Sequence, residues 1–535
     1  MKTGIPGLTA LALLALPLAA CGARDSHWDT PVSESSYAAA RTVGLTGSVG
    51  VVDDLEHRVL LLTPRLDQEL DRLFVPIGKK VQMALPSTDL SRMFVLSAGD
   101  VPRRTERDQR ASLTVIEGTG EKRGTSRRYE LAAPKSGIAL DPLGKWVALY
   151  ASGTEAFVEN PNEIVLVDLE SPPGADNPVT TTLRSFGGKP QKVTFSPTLN
   201  LPEGPRRLLV VQTELDVSIV DLDHARKNPR PEVTVRLSDS TSTKIIQPAQ
   251  VVFDDGDTTR NDDARIGIRL ANDANVVTLE LAKRTTVSGE NDFSPKINLT
   301  DVGGYASDIA FVRTDGGLRL AALVPTLKSA VLVETETSLT TQVPLPAPYS
   351  RMSLITDVVS SGTPTDVALL WSGVGAGGVA FWQLGKTSGT PYRSVEVVSL
   401  PSTVSSVQDL PKPRNELKVL SMGSNSFYVL DLASRTAAPL LTQSSATIVP
   451  SPDGGRMWAY SQGGTKLSAV SLPRLHPIQL VIDRPIAAAY EVARPEGGRA
   501  LVTLHTQGSF GATVFDADAP DAGSRLFSGL LLEKP

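Results

Sequence analysis

The densest group of chemically competent side chains is Asp254-Asp255-Gly256-Asp257, followed within a few residues by Asp262 and Asp263. Carboxylates alternating around a glycine can ligate a hard cation such as calcium through oxygen. The spacing lacks the regular acid positions and the bidentate glutamate of a helix-loop-helix calcium site. Asp254, Asp255 and Asp257 are therefore expected to form a solvated acidic turn that holds no metal. Five histidines, His27, His57, His224, His476 and His505, are scattered, with no two at metal-ligand spacing. In a β-rich chain they are expected in loops or as hydrogen-bonded core groups. Nucleophile-elbow, zinc-protease and phosphate-loop patterns are absent, so no catalytic residue and no cofactor is expected.

A nucleophilic thiol occurs once, at Cys21. Before it come Lys2, an apolar run over 8–18, and Leu18-Ala19-Ala20. The run is too short to span a bilayer. A charged start, a short apolar stretch and small residues before the cut define a secretory leader. Leu18-Ala19-Ala20-Cys21 resembles the lipobox of bacterial lipoproteins. That resemblance implies a diacylglyceryl thioether on Cys21, cleavage between Ala20 and Cys21, and acylation (palmitate or a similar chain) of the new amino group. With Gly22 rather than Asp after the cysteine, the enteric sorting convention points to the outer membrane, at its periplasmic face or the cell surface, rather than the inner membrane.

A secreted chain with one cysteine forms no intramolecular disulfide, so its fold must rest on packing. C-x-x-C-H haem attachment is excluded for the same reason. Two or three acyl chains anchor stably, which makes the lipid bilayer the first expected partner. Loss of Lys2 with the leader leaves 52 basic against 58 acidic side chains, a balance that does not suit nucleic acid. No later segment offers eighteen uninterrupted apolar residues, so an aqueous body is expected. Residues 22–42 are small and polar and read as a tether. The organisation expected is a signal peptide over 1–20, a lipidated tether over 21–42 and a folded body over 43–535.

The elements that must position any site follow from a repeat. An apolar strand ending in an acidic or polar residue recurs as Thr114-Val115-Ile116-Glu117, Val165-Leu166-Val167-Asp168, Ser218-Ile219-Val220-Asp221, Thr278-Leu279-Glu280 and Val331-Leu332-Val333-Glu334. It returns as Ala380-Phe381-Trp382-Gln383, Tyr428-Val429-Leu430-Asp431, Ala469-Val470-Ser471 and Thr513-Val514-Phe515-Asp516, with Leu60-Leu61-Leu62-Thr63 as a candidate tenth copy. The spacing of roughly 40 to 60 residues is that of propeller blades. Hairpin turns precede several copies, as at Asp141-Pro142-Leu143-Gly144, Ser451-Pro452-Asp453-Gly454 and Arg494-Pro495-Glu496-Gly497. In such turns Pro fixes φ, the acid bonds nearby amides and Gly accepts positive φ.

The turn, the apolar strand and the strand ending in V-x-D together resemble the YVTN and TolB-like class of β-propellers, over about residues 46 to 530. The resemblance implies an all-β body, a β-propeller of four-stranded antiparallel blades; the repeat count gives about eight to ten units, so some units are irregular, or the ring is unusually large, or two rings share the chain. A four-stranded blade cannot bury both faces alone, so neighbours must cover them. Trp146, Trp371, Trp382 and Trp458 occupy different strand positions, unlike the regular tryptophan docking motif of quinone-cofactor propellers. The recurring strand-end acids are expected to pair with turn amides or basic neighbours, since catalysis does not need one per blade.

Two function classes follow. The first is a non-enzymatic binding or scaffold module of the cell envelope, whose partner is an envelope protein or polymer. The second is a hydrolase or lyase of lactonase type with its site in the central channel. Insertions at 118–128, 159–163, 254–263 and 373–378 are the expected contact loops, sharing one rim of the disc.

Overall fold

Every copy of the repeated strand is the third strand of a four-stranded antiparallel meander, and ten such sheets are formed. The computed structural model describes residues 41–531 except 156, 186–187, 203, 227–231, 238–245, 257, 262, 284–292, 356–365, 386–393, 424–425, 441, 443–446, 473 and 507–509. Blades 1 to 5 span 42–76, 81–130, 137–182, 192–236 and 248–301. Blades 6 to 10 span 308–344, 351–399, 404–440, 447–481 and 488–528. Leu60-Leu61-Leu62-Thr63 lies in the third strand of blade 1, Arg58–Pro64, so the tenth copy belongs to the series.

The sequence left open one ring or two, and the packing decides for one. Among the described residues ten apolar clusters are present, each joining a blade to its successor, and the last joins blade 10 back to blade 1. A strand's side chains alternate between its two faces. In blade 1 this sends Leu60 and Leu62 towards blade 10, and Val59 and Leu61 towards blade 2. Burial on both faces is why these strands read as continuous apolar runs rather than as alternating patterns.

Each sheet is complete within its own stretch of chain, so the ring closes by packing and not by strand exchange. Across the closing seam the amide of Ala493 donates to the carbonyl of Thr46 at 2.7 Å. The Tyr490 hydroxyl donates to the carbonyl of Thr42 at 3.1 Å, and Arg58 donates to the carbonyl of Leu531 at 2.9 Å.

First strands of neighbouring blades touch one another and therefore lie nearest the axis. Fourth strands such as Thr340–Pro344 and Ser524–Ser528 are largely exposed on the outside. In a meander, the connections between strands one and two and between three and four leave at one end. Connections between two and three, and from blade to blade, leave at the other. The ring thus has a hairpin face of the first kind and a junction face of the second.

Candidate binding faces and clefts

The strand-end acids are consumed locally. Glu117 pairs with Arg92 at 3.3 Å, Asp168 with Arg226 at 2.9 Å, Asp221 with Arg206 at 2.8 Å and Glu334 with Arg319 at 2.7 Å. Asp431 accepts from the amides of Ala433 and Ser434, and Asp516 from the amide of Asp518 and from Arg494. Glu117, Asp221 and Glu334 thus tie the third strand to the second, Asp168 ties blade 3 to blade 4, and Asp431 and Asp516 cap the turn into the fourth strand. Turn acids behave alike: Asp141 accepts from the amide of Leu143 at 3.0 Å and from Arg207 of blade 4 at 2.6 Å.

Of the histidines, His505 is a buried, satisfied core group. Its Nδ1 faces the carbonyl of Pro485 at 3.0 Å, and its Nε2 lies 2.7 Å from the Thr513 hydroxyl. Pro485 offers only an acceptor, so Nδ1 carries the proton and Nε2 accepts from Thr513. Burial pushes its pKa down, against the Pro485 contact. His224 pairs with Asp221 in a hairpin, while His57 stands in the turn between the second and third strands of blade 1. Trp382 and Trp458 are fully buried on different strands of their blades, and Trp146 and Trp371 lie at opposite ends of second strands.

First strands, which surround the centre of the ring, contribute mainly apolar and neutral side chains. Met83, Ile138, Val252, Leu354, Val407 and Ile448 are half-buried there. The charged residues of the described first strands, Lys192, Asp254, Asp308, Arg313, Arg351 and Asp409, stand at or next to strand ends. Glu491 stands inside its strand but is buried, accepting from Trp458 Nε1 at 2.5 Å and from Arg499 at 3.3 Å.

The four insertions do not share a rim. Residues 118–128 and 254–263 belong to the hairpin face, whereas 159–163 and 373–378 belong to the junction face. Meander connectivity is the reason, since successive connections of one blade must leave at opposite ends.

Asp254 and Asp255 are half-buried rather than solvated, which corrects the expectation for that turn. Asp254 Oδ2 accepts from the Gly256 amide, and Asp255 Oδ1 accepts from the amide of Asn200 in blade 4, both at 2.5 Å. Burial pushes the Asp254 carboxyl above its usual range, against the Gly256 bond and nearby Arg313 and Arg265. Gly256 has φ +63, and a Cβ there would stand 2.5 Å from the Asp263 carboxylate, so both backbone and space demand glycine. Among the described residues no group of three metal-ligating side chains converges. Asp257 and Asp262 lie outside the described residues, as do Ala20 and Cys21.

Gly256, Arg260 and Asp263 form one wall of a cleft of about 480 Å³ between blades 5 and 6 on the hairpin face. Arg260, Arg265, Arg313 and Arg319 line it, with Asp263, Glu334 and Glu336. A second cleft, of about 240 Å³, lies between blades 2 and 3 on the junction face, lined by Val101, Pro102, Arg103, Arg110 and the exposed Phe157. Its loop, 98–111, braces itself: Asp100 accepts from the Gln109 amide at 2.8 Å and Asp108 from the Arg104 amide at 2.6 Å. Sequence reading missed both clefts. The signal for the second was the acid-capped, proline-containing stretch after Ser97; the first had no local signal, since Arg265 has the same strand position as Arg92 and Arg319.

No family model matches the chain, and no curated protein does. Solved structures with some likeness include a dihydro-heme d1 dehydrogenase, NirN, in complex with DHE, at 11% identity and TM-score 0.40, covering 82% of this chain and 74% of that one. Sqt1 of Saccharomyces cerevisiae is 14% identical, with TM-score 0.41, over 73% of this chain and 94% of that one. A catalytically inactive virginiamycin B lyase from Staphylococcus aureus, with quinupristin, is 12% identical, with TM-score 0.33, over 60% and 89%. The chain is a ten-bladed β-propeller by its own sheet order and packing. At such distance no activity passes from these proteins to this one.

Proposed function

We propose that the chain is a lipid-anchored envelope protein whose propeller acts as a non-enzymatic binding or scaffold module. The leader would be cut between Ala20 and Cys21, and acylated Cys21 would hold the ring at a membrane, the outer membrane by the Gly22 convention. The partner class is an envelope protein or polymer, met by loops and clefts on the faces of the ring.

The observation that carries the binding reading is the distribution of charge. The inner wall is apolar and neutral along its strands, Glu491 is committed to Trp458 and Arg499, and the clefts with charged linings open on the faces. A channel hydrolase would need an acid–base set converging where these strands place apolar groups.

Two measurements test the proposal. Radiolabelled fatty acid should enter the wild type and not Cys21→Ser, which should accumulate as a slower-migrating precursor. Full-length protein recovered from native envelope in detergent should bring down a stoichiometric partner. Turnover of a lactone, ester or glycan that a single channel substitution abolishes would put the lactonase-type reading in its place.

A further inference from the structure

Arg92, Arg265 and Arg319 occupy one register position in three blades. Each opens or nearly opens a second strand and lies directly opposite the strand-end acid of the third: Arg92 opposite Glu117, Arg265 opposite Glu280, Arg319 opposite Glu334. Residues directly opposite one another project from the same face of the sheet, so an ion pair is the expected outcome. Blades 2 and 6 form it, at 3.3 and 2.7 Å. Blade 5 does not. Its Glu280 is taken instead by Lys296, at 3.4 Å.

Arg265 is turned into the cleft between blades 5 and 6, where its side chain is only 9% exposed. One guanidinium nitrogen donates to the carbonyl of Asp263 at 2.8 Å, and another is 3.8 Å from the carboxylate of Glu336, itself 71% exposed. Its Nε has no hydrogen-bond partner. A buried guanidinium with an unmet donor is costly unless something completes it. Arg313 enters the same cleft from the first strand of blade 6, and its guanidinium makes no hydrogen bond among the described residues; its backbone is engaged by Asp366, whose carboxylate accepts from the Arg313 amide at 2.7 Å and whose amide donates to the Arg313 carbonyl at 3.0 Å. Of the facing acids, Glu334 is neutralised by Arg319, Asp263 accepts from Arg265 only at its backbone carbonyl, and Asp254 acts on Arg265 and Arg313 through charge alone, with no hydrogen bond to either among the described residues. That leaves an unmet Nε donor on Arg265 and a guanidinium without a hydrogen bond among the described residues on Arg313, both on one cavity of about 480 Å³.

We infer that this cleft is a binding site for an anion bearing carboxylate or phosphate oxygens, clamped between Arg265 and Arg313. Guanidinium forks match the spacing of paired oxygens on both groups, and partial burial strengthens such bonds over those in open water. The inference rests on the binding-module reading and gives it a ligand class and a place on the hairpin face.

The test uses full-length protein in detergent, titrated calorimetrically with citrate in one arm and inorganic phosphate in the other. One saturable site per chain is expected for at least one anion, and the arm that saturates tells carboxylate from phosphate. Arg313→Gln, an exposed change that spares the core, should weaken it tenfold or more, and Arg265→Met should do the same. Arg226→Gln, in a remote ion pair of blades 3 and 4, should leave it unchanged. Absence of saturable heat in both arms overturns the site, as does affinity kept within twofold in both cleft variants. Envelope capture in parallel separates the two readings. Capture without anion binding removes the cleft and leaves the module; anion binding without capture does the reverse.

Discussion

Arg499 of blade 10 holds Asp453 of blade 9 at 2.9 Å, tying the Ser451-Pro452-Asp453-Gly454 turn to the next sheet. The same guanidinium reaches Glu491 at 3.3 Å, and Glu491 accepts from the buried indole of Trp458. One arginine therefore serves two carboxylates in opposite environments. At Asp453, burial works upwards, but the Ser451 hydroxyl, the Gly455 amide and Arg499 outweigh it and hold the pKa down at about 2, from 3.8. At Glu491, burial dominates and pushes the pKa up, against Trp458 and Arg499.

The signs of the two pH effects differ. Asp453, with its folded value depressed, contributes stability that is present above 3.8 and lost as pH falls towards about 2. Glu491, with its folded value raised, contributes most below 4.5 and loses that contribution as pH rises through the folded value. Asp453→Asn should therefore flatten the fall in urea midpoint between about pH 4 and pH 2, by less than about 1 kcal/mol because half-exposed pairs are screened. Glu491→Ala should cost about 1–3 kcal/mol at neutral pH by stranding the indole N–H. An unchanged acid slope in Asp453→Asn would refute the assignment.

What the sequence disclosed follows from how local each feature is. The third strand of every blade was readable because its apolar run is buried on both faces and, in blades 2, 3, 4, 6, 8 and 10, ends in an acid, all within a few residues. The Asp141 and Asp453 turns were readable for the same reason. Ring closure was hidden, since Thr42 and Tyr490 stand 448 positions apart and no local pattern announces their contact. The blade 5–6 cleft was hidden differently. Arg265 looks in sequence like Arg92 and Arg319, and only the pairing of Lys296 with Glu280 reveals that it has been released. The rim of each of the four insertions was hidden because the length of a loop carries no record of which end of the meander it leaves.

The acidic turn of blade 5 gives a prediction of its own. Asp254 and Asp255 each commit an oxygen to a backbone amide, Gly256 in one case and Asn200 of blade 4 in the other. Calorimetric titration of calcium should yield no stoichiometric heat. Asp255→Ala should instead lower stability by about 1 kcal/mol, through loss of the inter-blade bond to Asn200. A tight calcium site abolished by Asp255→Ala would show that the carboxylates converge on a cation after all.

The closing seam should be where the ring opens first. Blades 1 and 10 share side-chain packing, a backbone bond from Ala493 to Thr46 and the Tyr490 bridge to Thr42, but no strand. Gly44 lies beneath the Tyr490 ring so closely that a Cβ would stand 2.3 Å from Cδ1. Gly44→Val must push that ring aside, an overpacking cost of about 1–3 kcal/mol. Tyr490→Phe removes only the hydroxyl bridge and should cost about 1 kcal/mol. Because blades 1 and 10 are the one neighbouring pair that no connecting segment of chain joins, closure there depends on contacts alone, and the loss should be local. Amide hydrogen exchange in Gly44→Val should quicken in Thr42–Gly44 and Ala488–Ala493 while Gly378–Gln383, across the ring in blade 7, keeps its protection. Faster exchange spread evenly over all ten blades would mean that the ring unfolds as one unit and that the seam is no weaker than any other junction.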